Sequence, residues 1–249
     1  SPLRATPWDG RAARPRTTRY ALPAKYVERA VPDYFEDRDG GVIWQPDVYR
    51  LARDLAQHLG AQRVVDVGCG QGRKLAELHP ELDVVGLDRG ANLAVCKAAY
   101  PWGRWLELDL DGEPLAPLPL TAPDLAGSVV VCADVLEHLQ TPDRLLARLR
   151  QLLDAAPCAV LTTPERTLTH GQAHLGPPPN AAHVREWSLG ELQHYVETAG
   201  LEVVFAGLTA SETVDYRRQT SLLVLRGAGA DGDGRHISGW IGAQLALYE

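Results

Sequence analysis

The sequence predicts a doubly wound α/β fold, a mostly parallel seven-stranded sheet with helices on both faces. Three observations carry this. Seven short runs are apolar almost without interruption: RVVDV (63–67), DVVGLD (83–88), RWLELD (104–109), SVVVCAD (128–134), CAVLTT (158–163), LEVVFAG (201–207) and TSLLVLRG (220–227). Strands buried on both faces read this way, whereas strands with one wet face alternate. Helical segments separate most of these runs, and alternating strand and helix calls for a parallel sheet. Third, DVGCGQG places glycines at 68, 70 and 72 where the first strand must turn into its helix.

Taken in order, residues 1–19 are rich in Arg and Pro without apolar periodicity, and read as a flexible basic arm. From 20 to 44, apolar and aromatic residues are broken by Pro23, Pro32 and DRDGG, which suggests short helices and turns able to form an N-terminal helical lid. QPDVYRLARDLAQHLG (45–60) carries Val48, Leu51, Leu55 and Leu59 on one helical face, with Pro46 suited to the first turn and Gly60 to the stop. Helices are expected at 71–79 and 91–98, then a Pro-rich connection over 111–126. TPDRLLARLRQLL (141–153) is a helix that Thr141 can cap. Residues 164–187 read as a long polar loop, and Ser188 with Glu191 forms a capping box for the helix ending at Gly200. GAGADGDG (227–234) is a linker, and ISGWIGAQLALYE a small amphipathic tail helix. The main domain therefore spans 45–226, with 227–249 as an appendage.

The totals set limits. A chain of 249 residues, 45% hydrophobic, supports one sizeable core. A formal charge of −7 argues against a nucleic-acid surface, since phosphate neutralisation needs clustered Lys and Arg. No apolar run approaches the ~20 residues of a membrane span, and the start lacks a secretory layout, so a cytoplasmic protein that meets no membrane is expected. Cys69, Cys96, Cys132 and Cys158 form no CxxC pair and read as buried thiols.

In such a sheet, ligands bind beyond the carboxyl ends of the strands, at the turn the glycines occupy. The spacing Gly68-x-Gly70-x-Gly72 with Arg at 73 departs from the GxGxxG of nicotinamide and flavin sites, which disfavours an NAD-linked oxidoreductase. Asp66, two residues before Gly68, would repel a pyrophosphate and suit an ammonium group. An ammonium, a carboxylate and a ribose in one ligand describe S-adenosylmethionine.

The ordered set VVDVGCGQG, VVGLDRG, WLELDL and VVVCADVLEHL, with the closing helix and strands, resembles the class I S-adenosylmethionine-dependent methyltransferases over about residues 45–226. The resemblance implies their Rossmann-like fold and assigns cofactor contacts. Asp66 and the backbone at Gly68 and Gly70 would border the methionine part. Asp88 would accept from the ribose hydroxyls, with Arg89 beside the adenine. Asp109 and the N–H of Leu110 would read the adenine edge, and Cys132 would line the cleft near the sulfonium. LEHL resembles the corresponding segment of ubiquinone-pathway O-methyltransferases, some of which use a metal there.

Two places offer catalytic groups. If a helix begins at ADVLEHL, then Asp134, Glu137 and His138 share one face at i, i+3 and i+4. His138 could then be a general base, or the three could hold a divalent cation; the plain alternative is that Glu137 and His138 only pin the turn. The loop 164–187 is long enough for an active-site wall and carries His170, His174 and His183; His183 is suited either to the cleft or to a structural bond at the helix entry. These polar groups, with two Phe and no Met in the chain, favour a small polar acceptor. O-methylation of a sugar or glycosylated natural product is the leading expectation, and GPPPNAAHVREWS resembles a segment of methyltransferases associated with polysaccharide and secondary-metabolite genes. N-methylation of a small amine and a non-catalytic cofactor-binding partner protein are the alternatives. Residues 20–44 are suited to cover the cofactor or to pair with a second copy in a homodimer.

Overall fold

A computed structural model describes residues 6–7, 19–33, 42–112, 117–229 and, in the tail, 237, 239–241 and 243. All seven expected strands form: β2 (Arg63–Val67), β3 (Asp83–Asp88), β4 (Arg104–Glu107), β5 (Ser128–Ala133), β6 (Cys158–Pro164), β7 (Val203–Thr209) and β8 (Thr220–Arg226). A two-residue edge strand, β1 (Thr6–Pro7), pairs antiparallel with β7. The rest of the arm before Arg19 lies outside the described residues, as do 230–234 of the expected linker and the two residues after it. The sheet order is β1-β7-β8-β6-β5-β2-β3-β4. Strands β2 to β6 run parallel, and β8 is antiparallel to both neighbours. No helix lies between Thr209 and Thr220, so the chain there makes a reversal and not a parallel crossover.

Among the described residues, seven helices besides the tail helix flank the sheet: α1 (Val48–Leu59), α2 (Arg73–Ala76), α3 (Gly90–Ala99), α4 (Ala122–Ala126), α5 (Pro142–Leu153), α6 (Arg166–His170) and α7 (Leu189–Thr198). Successive strand residues feed opposite cores, as the two-residue period of a strand requires. Val65, Val67, Val130 and Cys132 join the side packed by α5 and α7, whereas Val64, Val129, Val131 and Ala133 join the side packed by α1 and α3. Helix α1 buries Val48, Leu51, Ala52, Leu55 and Ala56 and stops at Gly60, whose φ of 67° lets its N–H reach the Ala56 and Gln57 carbonyls. The tail helix buries Ile237 and Ile241 in the same core, with Trp240 stacked on His58 at 4.8 Å.

Four expectations are corrected. The 111–126 connection contains α4, closed by a Thr121–Asp124 capping box, and the 164–187 loop contains α6, whose N-cap Glu165 accepts from Leu168 N–H. Thr141 makes no side-chain cap; the Asp111 carboxylate instead accepts from the backbone N–H groups of Gln140 and Thr141. The lid is not helical among its described residues, apart from a 3-10 turn at Arg19–Ala21. Residues 22–33 instead lie along the later loop, where Val27, Arg29 and Asp33 donate to the carbonyls of Leu175, Val184 and Ala181. Prolines at 23 and 32 lack the N–H that a helix there would use, and the backbone bonds go to a neighbour instead. The Ser188–Glu191 capping box forms as expected.

The chain runs from β2 outward through β3 and β4, then returns to place β5 and β6 on the other flank of β2. The crevice this reversal opens at the carboxyl end of β2 is where an open α/β sheet takes its ligand.

Candidate functional site

A cleft of about 960 Å³ opens at that crevice. Its floor is the turn after β2. Gly68 holds φ of 78°, and a Cβ there would stand 2.5 Å from Val135 Cγ2; only glycine fits both the backbone angle and the space. The turn is tied to the sheet by Gly68 and Cys69 N–H groups donating to the Leu87 carbonyl. Beneath it, the Cys69 and Cys96 thiols both donate to the Gly70 carbonyl, at 3.6 and 3.2 Å. Hydrogen bonding with Cys96 and burial push the Cys69 thiol well up, which disfavours the thiolate a nucleophile needs.

Asp66 is fully buried and is not among the residues that line the cleft, although its partner Tyr49 and the nearby Gly68 are. Its Oδ2 accepts from the Tyr49 hydroxyl at 2.7 Å, while Oδ1 has no hydrogen-bond partner. Burial raises its pKa to about 7, against the Tyr49 bond and the Lys74 charge. Asp88 ends β3 and braces the turn: Oδ2 accepts from Gly70 N–H at 2.8 Å and Oδ1 from Arg89 N–H at 2.7 Å. A carboxylate offers about four acceptor positions, so these bonds still leave capacity toward the cleft that Asp88 borders. Arg89 pairs with Asp109 at 3.0 Å on one rim, and Leu110 lines the wall beside them. Cys132 does not reach the cleft. It is fully buried in the α5–α7 core, because strand alternation aims Cys132 and its neighbour Ala133 to opposite sides; the cleft wall there is Ala133, Asp134 and Val135.

The segment after β5 is a 3-10 turn, Leu136–His138, not an α-helix starting at Asp134. Asp134 sits before it in the left-handed region, φ 52°, so the expected shared face does not form. Burial pushes Asp134 up to about 6. Glu137 is fully buried; Oε2 accepts from the Thr163 hydroxyl at 3.0 Å and Oε1 lacks a partner. Burial and then the Asp134 charge hold its carboxyl well above the usual range. His138 Nδ1 lies 2.9 Å from the Ala182 carbonyl and therefore carries the proton, while burial and His183 lower its pKa to about 4.

The long loop delivers His183 to the same spot. The Glu137 carbonyl accepts from Val184 N–H at 2.7 Å, which joins loop to turn, and the His138 and His183 rings stand edge to face with centroids 4.7 Å apart. The two separate stretches singled out in the sequence thus form one wall of the cleft. Ligand atoms of Glu137, His138 and His183 lie within 4.8 Å of one another; Asp134, expected in a cation-binding set, is not in this group. The His170 and His174 rings are tilted by 45° with centroids 4.9 Å apart, and neither lines the cleft.

Several participants were not anticipated. Tyr49 follows the apolar stripe of α1, and a tyrosine hydroxyl on a buried helix face is itself a signal of a buried acceptor. Asp111 braces the 140–141 turn. Glu186 stands three residues after His183, a spacing visible in HVREW, but that it also meets His170 could not be read from spacing.

Comparison with known proteins follows the same lines. A family model described as a methyltransferase domain matches residues 16–205. The ubiquinone biosynthesis O-methyltransferase of Burkholderia thailandensis is 26% identical over 163 residues, covering 61% of this chain and 69% of that protein. An S-adenosylmethionine-dependent methyltransferase structure from Mesorhizobium loti is 18% identical with a TM-score of 0.50, covering 71% of this chain and 96% of that one. The methyltransferase domain of bacterial CtHen1-C is 17% identical with a TM-score of 0.52, covering 72% and 97%. At these identities the two structures speak to the fold alone.

Proposed function

The chain belongs to the methyltransferase-domain family, the class I S-adenosylmethionine-dependent methyltransferases, and from that premise we propose that it O-methylates a small hydroxyl-rich acceptor, a sugar or glycosylated natural product. One observation carries the reading: His138 and His183 lie 4.7 Å apart on the same cleft that the glycine turn and Asp88 border. Cofactor and proton acceptor would thus share one space of about 960 Å³, a size suited to two small ligands.

Asp88 would grip the ribose hydroxyls, and its bonds to Gly70 and Arg89 N–H groups hold it in place for that. Asp66, with one unpartnered oxygen, suits an ammonium group next to the Gly68 and Gly70 backbone. Arg89, Asp109 and the Leu110 N–H would border the adenine. S-adenosylmethionine would supply a methyl carbon bonded to a positively charged sulfur. The acceptor oxygen bonds to that carbon as the carbon–sulfur bond breaks with its electron pair moving to sulfur, and the hydroxyl proton passes to an imidazole of the wall. Alignment of the three atoms contributes much of the rate, and the base contributes typically 10²–10⁴-fold.

A second reading is favoured by the partnerless Glu137 Oε1 and the close approach of Glu137, His138 and His183. These three groups would hold a divalent cation, which would polarise the acceptor oxygen and ease loss of its proton.

The test is incubation with S-adenosylmethionine and a panel of sugars, glycosylated phenols and small amines, with S-adenosylhomocysteine and methylated product followed by mass spectrometry. Product from hydroxyl acceptors is expected; product from amines alone would replace the reading with N-methylation, and cofactor binding without any turnover would favour a non-catalytic partner protein. His138→Ala should depress turnover with cofactor affinity retained; unchanged turnover would remove His138 as base. Full activity in excess EDTA would eliminate the cation.

A further inference from the structure

Behind the cleft wall, one carboxylate joins two imidazoles. Glu186 is almost fully buried; its Oε1 lies 2.5 Å from His183 Nδ1 and its Oε2 lies 2.9 Å from His170 Nε2. An ionised carboxylate can only accept, so His183 Nδ1 and His170 Nε2 must be the donors. Each carboxylate oxygen thus has one imidazole nitrogen within hydrogen-bond reach, so the carboxylate is the acceptor common to both rings.

The tautomer of His183 is fixed a second time from its other side. Asn180 Oδ1 accepts from Ala182 N–H at 3.0 Å, which sets the orientation of the amide. Asn180 Nδ2 is then left facing His183 Nε2 at 3.0 Å, and an amide nitrogen only donates. Nε2 must therefore be the unprotonated nitrogen. Both Asn180 and His183 border the cleft, so an acceptor hydroxyl that displaces the Asn180 amide meets a lone pair.

We propose that Glu186 is a positioning residue for the transfer reaction: it holds His183 in the tautomer that presents an unprotonated Nε2 to the acceptor, with His170 anchoring its second oxygen. The proposal rests on the methyl-transfer reading of this cleft. When the acceptor hydroxyl gives its proton to Nε2, its oxygen bonds to the methyl carbon and the carbon–sulfur pair goes to sulfur; the imidazolium so formed faces the Glu186 carboxylate. A carboxylate in that place stabilises the charged ring as well as orienting it. The same bond would steady His183 as a cation ligand, because a ligating histidine is oriented through its other ring nitrogen.

The backbone of this segment is held without the Glu186 side chain. Glu186 N–H donates to the Tyr26 hydroxyl at 2.8 Å, Val184 N–H to the Glu137 carbonyl at 2.7 Å, and the Arg29 guanidinium to the His183 carbonyl at 3.2 Å. Substitution of the carboxyl is therefore expected to leave the loop path intact.

The experiment uses the full chain and compares Glu186→Gln, Glu186→Asp and His170→Gln with wild type. In Glu186→Gln, kcat should fall ~100-fold, the scale of a general base, with KM for S-adenosylmethionine unchanged within about twofold. Glu186→Asp, which keeps the charge, should recover part of that loss, and His170→Gln should lose only several-fold. Nitrogen-15 NMR of the histidine rings without acceptor gives a readout that a scaffolding role would not move: wild-type His183 should show an unprotonated Nε2, and Glu186→Gln a shift toward the other tautomer. Wild-type kcat in Glu186→Gln, a neutral wild-type His183 protonated on Nε2, or a loss of kcat with an unchanged tautomer would each overturn the proposal. Absence of product from wild type would instead sink the methyl-transfer reading, and the tautomer spectra would still decide whether Glu186 orients His183. If Glu186→Gln fails to fold, the wild-type spectrum and His170→Gln carry the decision.

Discussion

Replacing Asp66 by Asn should raise the stability of the ligand-free protein above neutral pH while weakening cofactor binding. Asp66 is fully buried, with a single hydroxyl on one oxygen and nothing on the other. Its pKa moves from 3.8 to about 7 on folding, a rise of about three units that at 1.36 kcal/mol each is worth about 4 kcal/mol. The acid is raised, so the folded state holds its proton longer than the unfolded state. The cost of ionising it is absent below about pH 4, grows as pH climbs, and is complete above about pH 7. An Asn is neutral throughout but leaves an amide imperfectly bonded, at about 1–3 kcal/mol. The expected net gain at pH 8 is therefore about 1–3 kcal/mol, or a Tm increase of roughly 2–12 °C for a chain of this size. Thermal or urea unfolding of both proteins at pH 5 and pH 8 isolates the effect, because every other titrating group is common to them. A difference between wild type and Asn that stays constant across this range would refute the reasoning. Calorimetry with S-adenosylmethionine in buffers of different ionisation enthalpy adds a second check. Ionisation of Asp66 against the ammonium group should release close to one proton on binding at about pH 6 and little at about pH 8.5 in wild type, and this release should vanish in Asp66→Asn.

Two further outcomes follow from the turn itself. Asp88→Ala removes the acceptor of the Gly70 and Arg89 N–H groups as well as the proposed ribose contacts, at about 1.5–3 kcal/mol for each charge-assisted bond. S-adenosylmethionine affinity measured by calorimetry should drop at least tenfold, and an unchanged affinity would place the ribose elsewhere. Gly68→Ala forces a Cβ to 2.5 Å from Val135 Cγ2 at a φ of 78°, so a loss of about 2–5 kcal/mol is expected from the backbone and overpacking together. A Tm within a degree of wild type would show that the turn relaxes freely.

The sequence by itself determined the sheet. Near-continuous apolar runs at 63–67, 83–88, 128–133 and 158–163 can be satisfied only between two helical layers, and every strand they marked formed. It also determined the glycine turn, since Gly68 answers to a backbone angle and a close contact that no other residue tolerates. The cleft histidines were legible as candidates but not as a pair, because periodicity reports which face a residue occupies within one element and says nothing of what stands opposite. Only the tertiary structure brought His183 to within 4.7 Å of His138 and His170 to Glu186, across sequence separations that no local pattern spans, whereas the spacing of His183 and Glu186 was already visible. Cys132 was misread for the complementary reason: its sequence position at the end of β5 is right, but the pleat sends its side chain into the core and gives the cleft to Ala133 and Asp134. The lid failed likewise, since prolines set where a helix cannot run, while the partner that takes the freed backbone bonds, the loop from Leu175 to Val184, is chosen only when the chain is folded.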